Sequence, residues 1–263
     1  MASMLELIDV SLKRHGNTLL QPLTLQLPPA QLCVILGPNG AGKSTLLQLM
    51  SGYLTPDSGS VSLAGQPVHR LNAAKLAQLR AVVEQQSSCP AGWTAGELVR
   101  TGLYHAPQAR HVQALEQALA LSCTGHLLDR PMHSLSGGEL QRIHLARALC
   151  QILASTQPER YLLLDEATAA MDFAIADAMM LQLRHIAETL SLGVVMVLHD
   201  LNLAMRHADQ VLLLQDGHQM AFGTVADIMQ KEQLEAIYGI RLTELISPDA
   251  SIRAFVPHSP GLD

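Results

Sequence analysis

Short runs of consecutive apolar residues alternate with longer Ala- and Leu-rich stretches along most of this chain. The runs at 32–36, 161–164 and 194–198 contain no charged residue, which is typical of strands buried on both faces of a sheet. Helices are predicted from the apolar spacing at 44–50, 94–101, 111–121, 138–153 and 175–190. Strands that alternate with helices predict an α/β fold with a mainly parallel sheet flanked by helices.

The two ends of the chain follow other patterns. Further strands are predicted at 5–10, 19–27, 61–63 and 81–83. The segments 211–214 and 219–222 flank Asp216-Gly217 and predict a hairpin at the edge of the sheet. A last helix is predicted at 225–238, and the Pro- and Ser-containing residues after 239 carry no clear pattern.

The composition narrows the classes of protein. The chain has 263 residues, 48% of them hydrophobic, enough for one large domain or two packed lobes. The net charge is −6 and Lys and Arg form no stripe, so nucleic acid is not expected as a partner. No apolar run approaches the roughly 20 residues that span a bilayer. Glu6 and Asp9 near the N-terminus argue against a signal peptide.

The cysteines and histidines do not predict a metal site. Cys33, Cys89, Cys123 and Cys150 show no C-x-x-C spacing, so we interpret them as small buried thiols in a reducing compartment. The twelve histidines are scattered, which favours structural or solvent-facing roles. We therefore expect a cytoplasmic protein.

Residues 37–45 read G-x-x-x-x-G-K-S between a predicted strand and a predicted helix, the context that a phosphate-binding P-loop requires. Glycines let the backbone approach the phosphates, and the helix N-terminus adds its positive dipole end. Lys43 is expected to reach the β- and γ-phosphates, and the Ser44 hydroxyl to bind Mg²⁺. The predicted nucleotide-binding residues are Gly37, Pro38, Asn39, Gly40, Ala41, Gly42, Lys43, Ser44 and Thr45.

Two acidic residues, Asp165 and Glu166, follow the apolar run at 161–164. Taken alone, two acids after a strand are also common in surface turns, but after a P-loop in one α/β domain they favour catalysis. An acid at such a strand end can hold Mg²⁺ through water, and a second one can orient or deprotonate an attacking water. We assign Asp165 to the metal and Glu166 to the general base.

A second glycine-rich segment, at 135–139, opens another helix. One nucleotide rarely needs two such segments from one chain, so we expect the second to contact nucleotide held by a neighbouring copy. Together with the P-loop and the two acids, it resembles the nucleotide-binding subunit of an ATP-binding cassette (ABC) transporter, over nearly the whole chain. The resemblance implies that this turn closes over the γ-phosphate bound by the partner, with contacts from Ser136 and Gly138. The segment assigned to nucleotide binding is Ser136, Gly137, Gly138 and Glu139. Ser136 and Glu139 also fit a capping box, and both interpretations can hold.

Three further positions match the family in order. Gln85 resembles the glutamine that contacts Mg²⁺ and the attacking water and connects to the helical lobe; Gln86 is the alternative in register. His199 resembles the switch histidine that hydrogen-bonds the γ-phosphate. Asp172 resembles the loop acid that contacts the partner subunit and positions Glu166.

The chain also departs from the family pattern. Ala167 stands where Pro is usual, Met171 where Leu is usual, and Glu84 replaces a common Pro. These changes are conservative in size at the catalytic loop, so catalysis is still expected. The aromatic residue that often stacks on adenine is absent, and 13–15 occupies that region. His15 or Arg14 is a candidate to stack on the base, and a polar hairpin turn is the alternative.

The resemblance implies a division of the chain and a mode of action. A RecA-like P-loop core with N-terminal antiparallel strands is expected at 1–85 and 145–225, an inserted helical subdomain at 86–144, and a C-terminal helix and tail at 226–263. ATP and Mg²⁺ are the implied ligands, bound at the interface of a homodimer that closes with ATP and opens after hydrolysis.

The implied partners are two transmembrane permease subunits and, indirectly, a periplasmic or surface substrate-binding protein. They would hold the chain at the cytoplasmic face of the inner membrane. Trp93 and Tyr104 are expected in the groove that receives a permease helix, and packing of Trp93 inside the lobe is the alternative.

Residues 199–209 are similar to the importer branch for iron-siderophore complexes, haem and cobalamin. Residues 51–59 and the stretch between 149 and 161 favour haem, with cobalamin second. The expected cargo is therefore haem or an iron-siderophore complex, with cobalamin as the alternative. A soluble cassette ATPase that acts on DNA or ribosomes is the alternative from another class, but no coiled-coil insertion, zinc module or second cassette is visible. A simple P-loop kinase would leave 135–139 and His199 without a role.

Overall fold

The computed structural model describes residues 4–85, 92–169, 171–249 and 252–258. Its strands, in chain order, are β1 (Leu5–Arg14), β2 (Asn17–Leu27), β3 (Leu32–Leu36), β4 (Ser58–Leu63), β5 (Gln66–Pro67), β6 (Arg80–Val83), β7 (Arg160–Asp165), β8 (Leu192–Val197), β9 (Gln210–Gln215), β10 (His218–Thr224), β11 (Leu242–Ile246) and β12 (Arg253–Pro257). Its α-helices are α1 (Lys43–Ser51), α2 (Ala73–Leu79), α3 (Ala95–Thr101), α4 (His111–Ser122), α5 (Gly137–Ala154), α6 (Phe173–Leu190), α7 (Leu201–His207), α8 (Val225–Ile228) and α9 (Lys231–Tyr238).

The central sheet has the strand order β10-β9-β3-β8-β7-β6. All neighbours in it are parallel except β10, which pairs antiparallel with β9. A second, antiparallel sheet has the order β2-β1-β4-β5, and β11 and β12 form a separate hairpin. The expected α/β fold with an antiparallel N-terminal part is confirmed.

The apolar runs are buried on both faces of the central sheet, which explains why they lack polar alternation. In β3, Leu32, Val34 and Leu36 belong to the main core with α5, α6 and α7. Cys33 and Ile35 face the opposite way, into the core formed with α1 and the antiparallel sheet. The sheet is therefore held between two apolar layers, and its loops emerge only at its ends.

The structure corrects the prediction of a single helix at 225–238. Thr224 caps the short helix α8, and the chain leaves helical geometry at Met229 before α9 begins at Lys231. Met229 is fully buried in the main core, so apolar burial at this position outweighs helical continuity. The sequence patterns also missed α2, α7 and the β11–β12 hairpin, whereas the edge hairpin of β9 and β10 is confirmed.

One cysteine differs from its predicted environment. Cys33 and Cys150 are buried free thiols, and burial raises the pKa of each to about 12. Cys123 is a free thiol but exposed; it is the C-cap residue of α4 and has a left-handed backbone at φ 52°. Cys89, Gln86 and Ala170 lie outside the described residues. Within the described ranges, none of the helices has both the length and the apolar character needed to cross a membrane.

Candidate active site

The P-loop follows β3 directly and leads into α1, which begins at Lys43. Gly37 lies against the neighbouring strand, because a Cβ there would come 2.1 Å from the carbonyl oxygen of Leu214. Gly42 has a left-handed backbone at φ 97°, and a Cβ there would come 2.9 Å from the carbonyl oxygen of Leu19. Glycine is therefore required at both positions, and it brings bare backbone to the surface of the loop.

The N-terminus of α1 can accept an anion. Gly42 is its N-cap, no side chain caps it, and its first turn contains no acidic residue. The first N–H groups of a helix have no partner inside the helix, and they carry the positive end of the helix dipole. Phosphate oxygens fit this end of the helix.

Lys43 folds back over the loop. Its Nζ donates to the carbonyl oxygens of Gly37 at 2.8 Å and Pro38 at 2.9 Å, and the side chain is buried. Burial lowers the pKa of Lys43, while the negative charges of Glu166 and Asp165 partly offset that effect. The ammonium group is therefore held at the mouth of the loop, on contacts that phosphate oxygens can replace.

Ser44 and Asp165 place two oxygens side by side. The Ser44 hydroxyl donates to Oδ1 of Asp165 at 3.1 Å. Burial raises the pKa of Asp165, and the hydrogen bond from Ser44 offsets part of that rise. A hydroxyl and a carboxylate are the oxygen ligands that Mg²⁺ takes, usually together with water and phosphate. The described ranges contain no group of three or more His, Cys, Asp or Glu that could hold a metal ion. The Ser44–Asp165 pair fits Mg²⁺ together with phosphate and water as further ligands.

Three adjacent parallel strands bring the remaining predicted residues to one edge of the sheet. In their register Val83 of β6 pairs with Leu164 of β7, and Asp165 pairs with Val197 of β8. The carboxyl ends of β6, β7 and β8 therefore lie at the same level. Gln85, Glu166 and His199 each follow one of these ends by one or two residues.

Glu166 lies between the other two side chains. Nε2 of Gln85 donates to its Oε2 at 2.6 Å, and Nε2 of His199 is 2.5 Å from its Oε1. An ionised carboxylate only accepts hydrogen bonds, so Nε2 of His199 carries the proton in this contact. The backbone of Glu166 is left-handed at φ 50°, which costs about 1–2 kcal/mol for an L-residue. This unfavourable backbone aims the carboxylate at both partners and can serve to position a base.

The second glycine-rich segment forms the capped N-terminus of α5. The backbone N–H of Ser136 donates to Glu139 Oε2 at 2.8 Å, and the N–H of Glu139 donates to Ser136 Oγ at 3.3 Å. Arg130 holds the other oxygen of Glu139 at 2.7 Å. Sequence patterns missed Arg130, because a contact nine residues away across a turn leaves no periodic signal. Ser136 and Gly137 are exposed, so the capped turn presents its outer side to solvent.

The two glycine-rich segments do not meet within the described chain. The C-terminal half of α5 is fixed to β6, where Arg147 donates to the carbonyl oxygen of Val82 and Gln151 donates to that of Arg80. Ser136 precedes Arg147 by eleven residues, which is about 16 Å along the helix axis. No hydrogen bond or ion pair among the described residues joins 136–139 to 37–45.

Of three other predicted residues, two have a local structural role and the third is exposed. Asp172 caps α6 by accepting from the N–H of Ile175 at 3.0 Å, and within the described part of the chain it makes no hydrogen bond to Glu166. Trp93 packs against the main core, as the packing alternative stated, whereas Tyr104 is 84% exposed.

The region predicted to contact the base is a polar hairpin turn. His15 sits at the turn with a left-handed backbone at φ 52°. The backbone N–H of Lys13 donates to Asp57 at 2.6 Å, and the Arg14 guanidinium lies 3.6 Å from the same carboxylate. The structure therefore supports the hairpin alternative, and stacking of Arg14 or His15 stays a prediction.

Comparison with known proteins gives consistent matches. The family model described as "ABC transporter" matches residues 20–169. The hemin import ATP-binding protein HmuV of Burkholderia pseudomallei is 38% identical over 97% of this chain and 100% of its own length. The protein of the same name from Enterobacter cloacae is 39% identical over 89% of this chain and 90% of its own length.

Solved structures give the same picture of the fold. An inward-facing structure described as a putative metal-chelate type ABC transporter superposes with a TM-score of 0.83 at 28% identity and covers 98% of both chains. A dimeric bacterial ABC transporter cassette, at 24% identity, has a TM-score of 0.73 and covers 84% of this chain. The second likeness bears on the fold alone.

Proposed function

This chain belongs to the ABC transporter family, and from that premise we propose that it is the ATP-hydrolysing subunit of an importer of haem or a related iron chelate. The observation that carries the proposal is the similarity over nearly full length to hemin import ATP-binding proteins, at 38% identity over 97% of the chain. The arrangement of the P-loop, Asp165, Glu166 and His199 supports the ATPase half of it. The cargo half rests on the relatives, because an ATPase subunit does not contact the cargo.

Hydrolysis transfers the γ-phosphoryl group of ATP to water and releases ADP. In the proposed reaction, Lys43 leaves the carbonyl oxygens of Gly37 and Pro38 and binds the phosphates. Glu166 accepts a proton from the attacking water as the bond between the γ-phosphorus and the bridging oxygen breaks. Gln85 orients that water, and His199 turns from Glu166 to the γ-phosphate. Positioning and charge stabilisation supply most of the rate in such reactions.

Mg²⁺ would be held by Ser44 and Gln85 directly and by Asp165 through water. Bound there, the ion would neutralise charge on the β- and γ-phosphates. The buried carboxylate of Asp165 favours a nearby cation, because desolvation raises the free energy of an unpaired negative charge.

We propose that two copies form the complete site. The P-loop binds ATP in one copy, and Ser136, Gly137, Gly138 and Glu139 of the other copy close over its γ-phosphate. Asp172 at the start of α6 would contact the partner at the same interface. The separation of the two segments within one chain supports this arrangement.

The proposed permease contact lies on the helical part of the chain. A groove next to the exposed Tyr104 is lined by Arg100, Thr101, Leu103, Tyr104, His105 and His111. An amphipathic helix can lay its apolar face into such a groove. Two permease subunits would hold two copies at the cytoplasmic face of the membrane. A substrate-binding protein would act at the opposite face. The division into core, 86–144 and 226–263 is part of this proposal.

The test combines hydrolysis with uptake. Glu166→Gln is expected to lower ATP turnover by about 100-fold or more, the usual contribution of a general base. In cells from which the gene has been deleted, the wild-type gene is expected to restore growth on haem as the sole iron source, and the Glu166→Gln gene is expected not to. Glu188→Gln is the matched control, because Glu188 is an exposed acid on α6 whose ion pair among the described residues is with Arg184, and it should behave as the wild type.

Two results would contradict parts of the proposal separately. Normal ATP turnover by Glu166→Gln would remove the assigned base. Complemented cells that take up cobalamin but neither haem nor a ferric siderophore would overturn the cargo and leave the ATPase assignment standing.

A further inference from the structure

The C-terminal hairpin of β11 and β12 has no part in the reaction proposed above, yet it is joined to the helix that follows His199. That helix, α7, begins two residues after His199. The side-chain amide of Asn202 in α7 makes two hydrogen bonds to the backbone of Phe255 in β12. Its Nδ2 donates to the carbonyl oxygen of Phe255 at 3.0 Å, and its Oδ1 accepts from the N–H of Phe255 at 2.7 Å. One side chain thus bridges two segments that are 53 residues apart in sequence.

The hairpin presents both of these backbone groups on its outer edge. At one end of the hairpin, the backbone N–H of His258 donates to the carbonyl oxygen of Arg241 at 2.8 Å. Hydrogen-bonded and non-hydrogen-bonded pairs alternate along an antiparallel ladder, so Phe255, which lies opposite Glu244, directs its N–H and C=O away from β11. An asparagine amide offers a donor and an acceptor together and satisfies both groups, whereas an ionised aspartate only accepts.

The hairpin is itself firmly seated, so it can serve as a fixed anchor. The ring of Phe255 and the side chain of Leu242 are buried in the main core. The backbone N–H of Leu242 donates to Glu235 of α9 at 2.6 Å. Arg253 pairs with Glu244 across the hairpin, and its guanidinium carbon lies 5.0 Å from the centre of the Phe255 ring.

At its other end, the connection leads directly to His199. The next residue, Asp200, is the N-cap of α7, and its Oδ1 accepts from the backbone N–H groups of Asn202 at 2.8 Å and Leu203 at 2.9 Å. The far end of α7 is held on α6 by ion pairs with Asp177. Because both ends of α7 are held, His199 can move by its own torsions while the helix stays in place.

The proposed reaction requires such a fixed pivot. The Nε2 of His199 is 2.5 Å from Oε1 of Glu166, and the histidine side chain is 44% exposed. During hydrolysis the ring would turn from Glu166 to the γ-phosphate. A hydrogen bond weakens steeply when its distance or angle departs from the optimum. A displacement of about 1 Å at a reacting group can cost about 100-fold in rate.

We propose that Asn202 is a positioning residue for His199: it ties the start of α7 to the C-terminal hairpin and so fixes the pivot about which the histidine turns. The inference rests on the ATPase function proposed above, and it gives the β11–β12 hairpin a part in hydrolysis. Asn202 acts through the short backbone segment between it and His199, without contact to ATP or the attacking water.

The test is Asn202→Ala, which removes both hydrogen bonds to Phe255 and keeps the cap from Asp200, since that cap uses the backbone N–H of residue 202. We expect kcat for ATP to fall about tenfold because the ring is less well placed. The Kd for ADP, measured by calorimetry, should stay unchanged because the P-loop is intact. The NMR signal of the His199 ring in the nucleotide-free protein, assigned with His199→Gln, should shift or broaden. If the alanine variant does not fold, Asn202→Asp, which keeps the acceptor for the Phe255 N–H and loses the donor, should show the same two changes.

Asn72→Ala is the matched control. Asn72 is an exposed N-cap of α2, and its Oδ1 accepts from the backbone N–H of Lys75 at 2.9 Å. Its loss should lower the Tm, as the loss of a cap does, and leave both kcat and the His199 signal at their wild-type values.

The two readouts separate the inference from the proposed function. A folded Asn202 variant with a lowered Tm but a wild-type kcat or an unchanged His199 signal would show a merely structural role and overturn the inference. A wild type that does not hydrolyse ATP would overturn the proposed function, and the His199 signal would still decide whether Asn202 holds the ring in place.

Discussion

At the scale of single residues, two aspartates show that burial and pairing shift the pKa of a carboxyl group in opposite directions. Asp165 is buried, and burial raises its pKa despite the hydrogen bond from Ser44. Asp177 is half-exposed and accepts from His207 at 2.6 Å and from Arg206 at 2.9 Å, and these contacts lower its pKa. The charged form is therefore unfavourable in the folded protein at Asp165 and favourable at Asp177.

Asp165→Asn should consequently stabilise the protein while it removes function. The amide keeps an acceptor for Ser44 and eliminates a desolvated charge, so we expect the protein without Mg²⁺ and ATP to gain about 0.5–1 kcal/mol at pH 7. For a chain of this size that is a rise in Tm of roughly 1–4 °C. ATP turnover should fall sharply, because the cation loses its negative neighbour. Scanning calorimetry and a phosphate-release assay measure the two effects.

Asp177→Asn is the opposing control, since it removes a carboxylate that is well paired. Its Tm should fall below that of the wild type, with ATP binding retained. If both substitutions move the Tm in the same direction, the contrast drawn from their surroundings is wrong.

The residues of the site differ in how far sequence alone could reveal them. Gly37, Lys43 and Ser44 follow from a local motif, because a P-loop is built from consecutive residues. Glu166 and His199 were identifiable as residues at the ends of predicted strands, but their contact depends on the order of strands in the sheet.

At the scale of secondary structure elements, buried strands were the most predictable part of the fold. β3 was predicted with its observed limits, since its five apolar residues are buried on both faces. The short helices α2 and α7 were missed, whereas α3, which also has seven residues, was predicted; of these three helices, α3 alone begins with a capping box. The β11–β12 hairpin was missed for a different reason: Leu245 and Ile246 are exposed, so its pattern does not separate an inner from an outer face.

α5 runs from the exposed Ser136 turn into the core, and its residue His144 is buried. His144 is 4% exposed, its Nε2 has no hydrogen-bond partner among the described residues, and Arg147 lies nearby. Burial, assisted by the charge of Arg147, lowers the pKa of His144 to about 4. The unfolded chain, with an ordinary histidine pKa of about 6.5, therefore binds more protons than the folded protein between these two values.

The sign of the pH dependence follows from that difference. Where the unfolded state binds more protons, the free energy of unfolding falls as the pH falls. We expect the stability of the wild type to decline from pH 6.5 towards pH 4, by up to about 1.4 kcal/mol per pH unit from this one group. His144→Gln should show a shallower decline in denaturant titrations at each pH. His126→Gln, at an exposed histidine, should retain the wild-type slope; equal slopes in all three proteins would contradict the assignment.

At the scale of the whole molecule, the most informative feature is the distance between two segments that both suit phosphate. The P-loop lies at the carboxyl edge of the central sheet, and Ser136 lies at the far end of α5. Among the described residues of one chain, the hydrogen bonds of the Ser136 turn form a helix cap. A two-fold arrangement, in which each copy supplies the segment that the other lacks, gives both segments a role and makes the dimer depend on bound ATP.

Gly138 offers a way to test that arrangement without disturbing the single chain. A Cβ at Gly138 would meet only Cγ of Met171, at an ordinary 3.7 Å, so the fold of one copy does not require glycine there. An acidic residue in the first turn of a helix is also favourable for the helix dipole. Gly138→Asp should therefore keep the wild-type Tm and Kd for ATP.

The same substitution should abolish the dimer, because its carboxylate would face the γ-phosphate held by the partner at close range. In a Glu166→Gln background with ATP and Mg²⁺, light scattering should give twice the 28.4 kDa mass of the chain, and adding Gly138→Asp should return the mass of one copy. Gly125→Asp is the control, since a Cβ at Gly125 meets nothing within 4 Å, and it should still dimerise. A Gly138→Asp protein that dimerises normally would show that the Ser136 turn does not close over the partner's nucleotide, and α5 would then begin with a helix cap and nothing more.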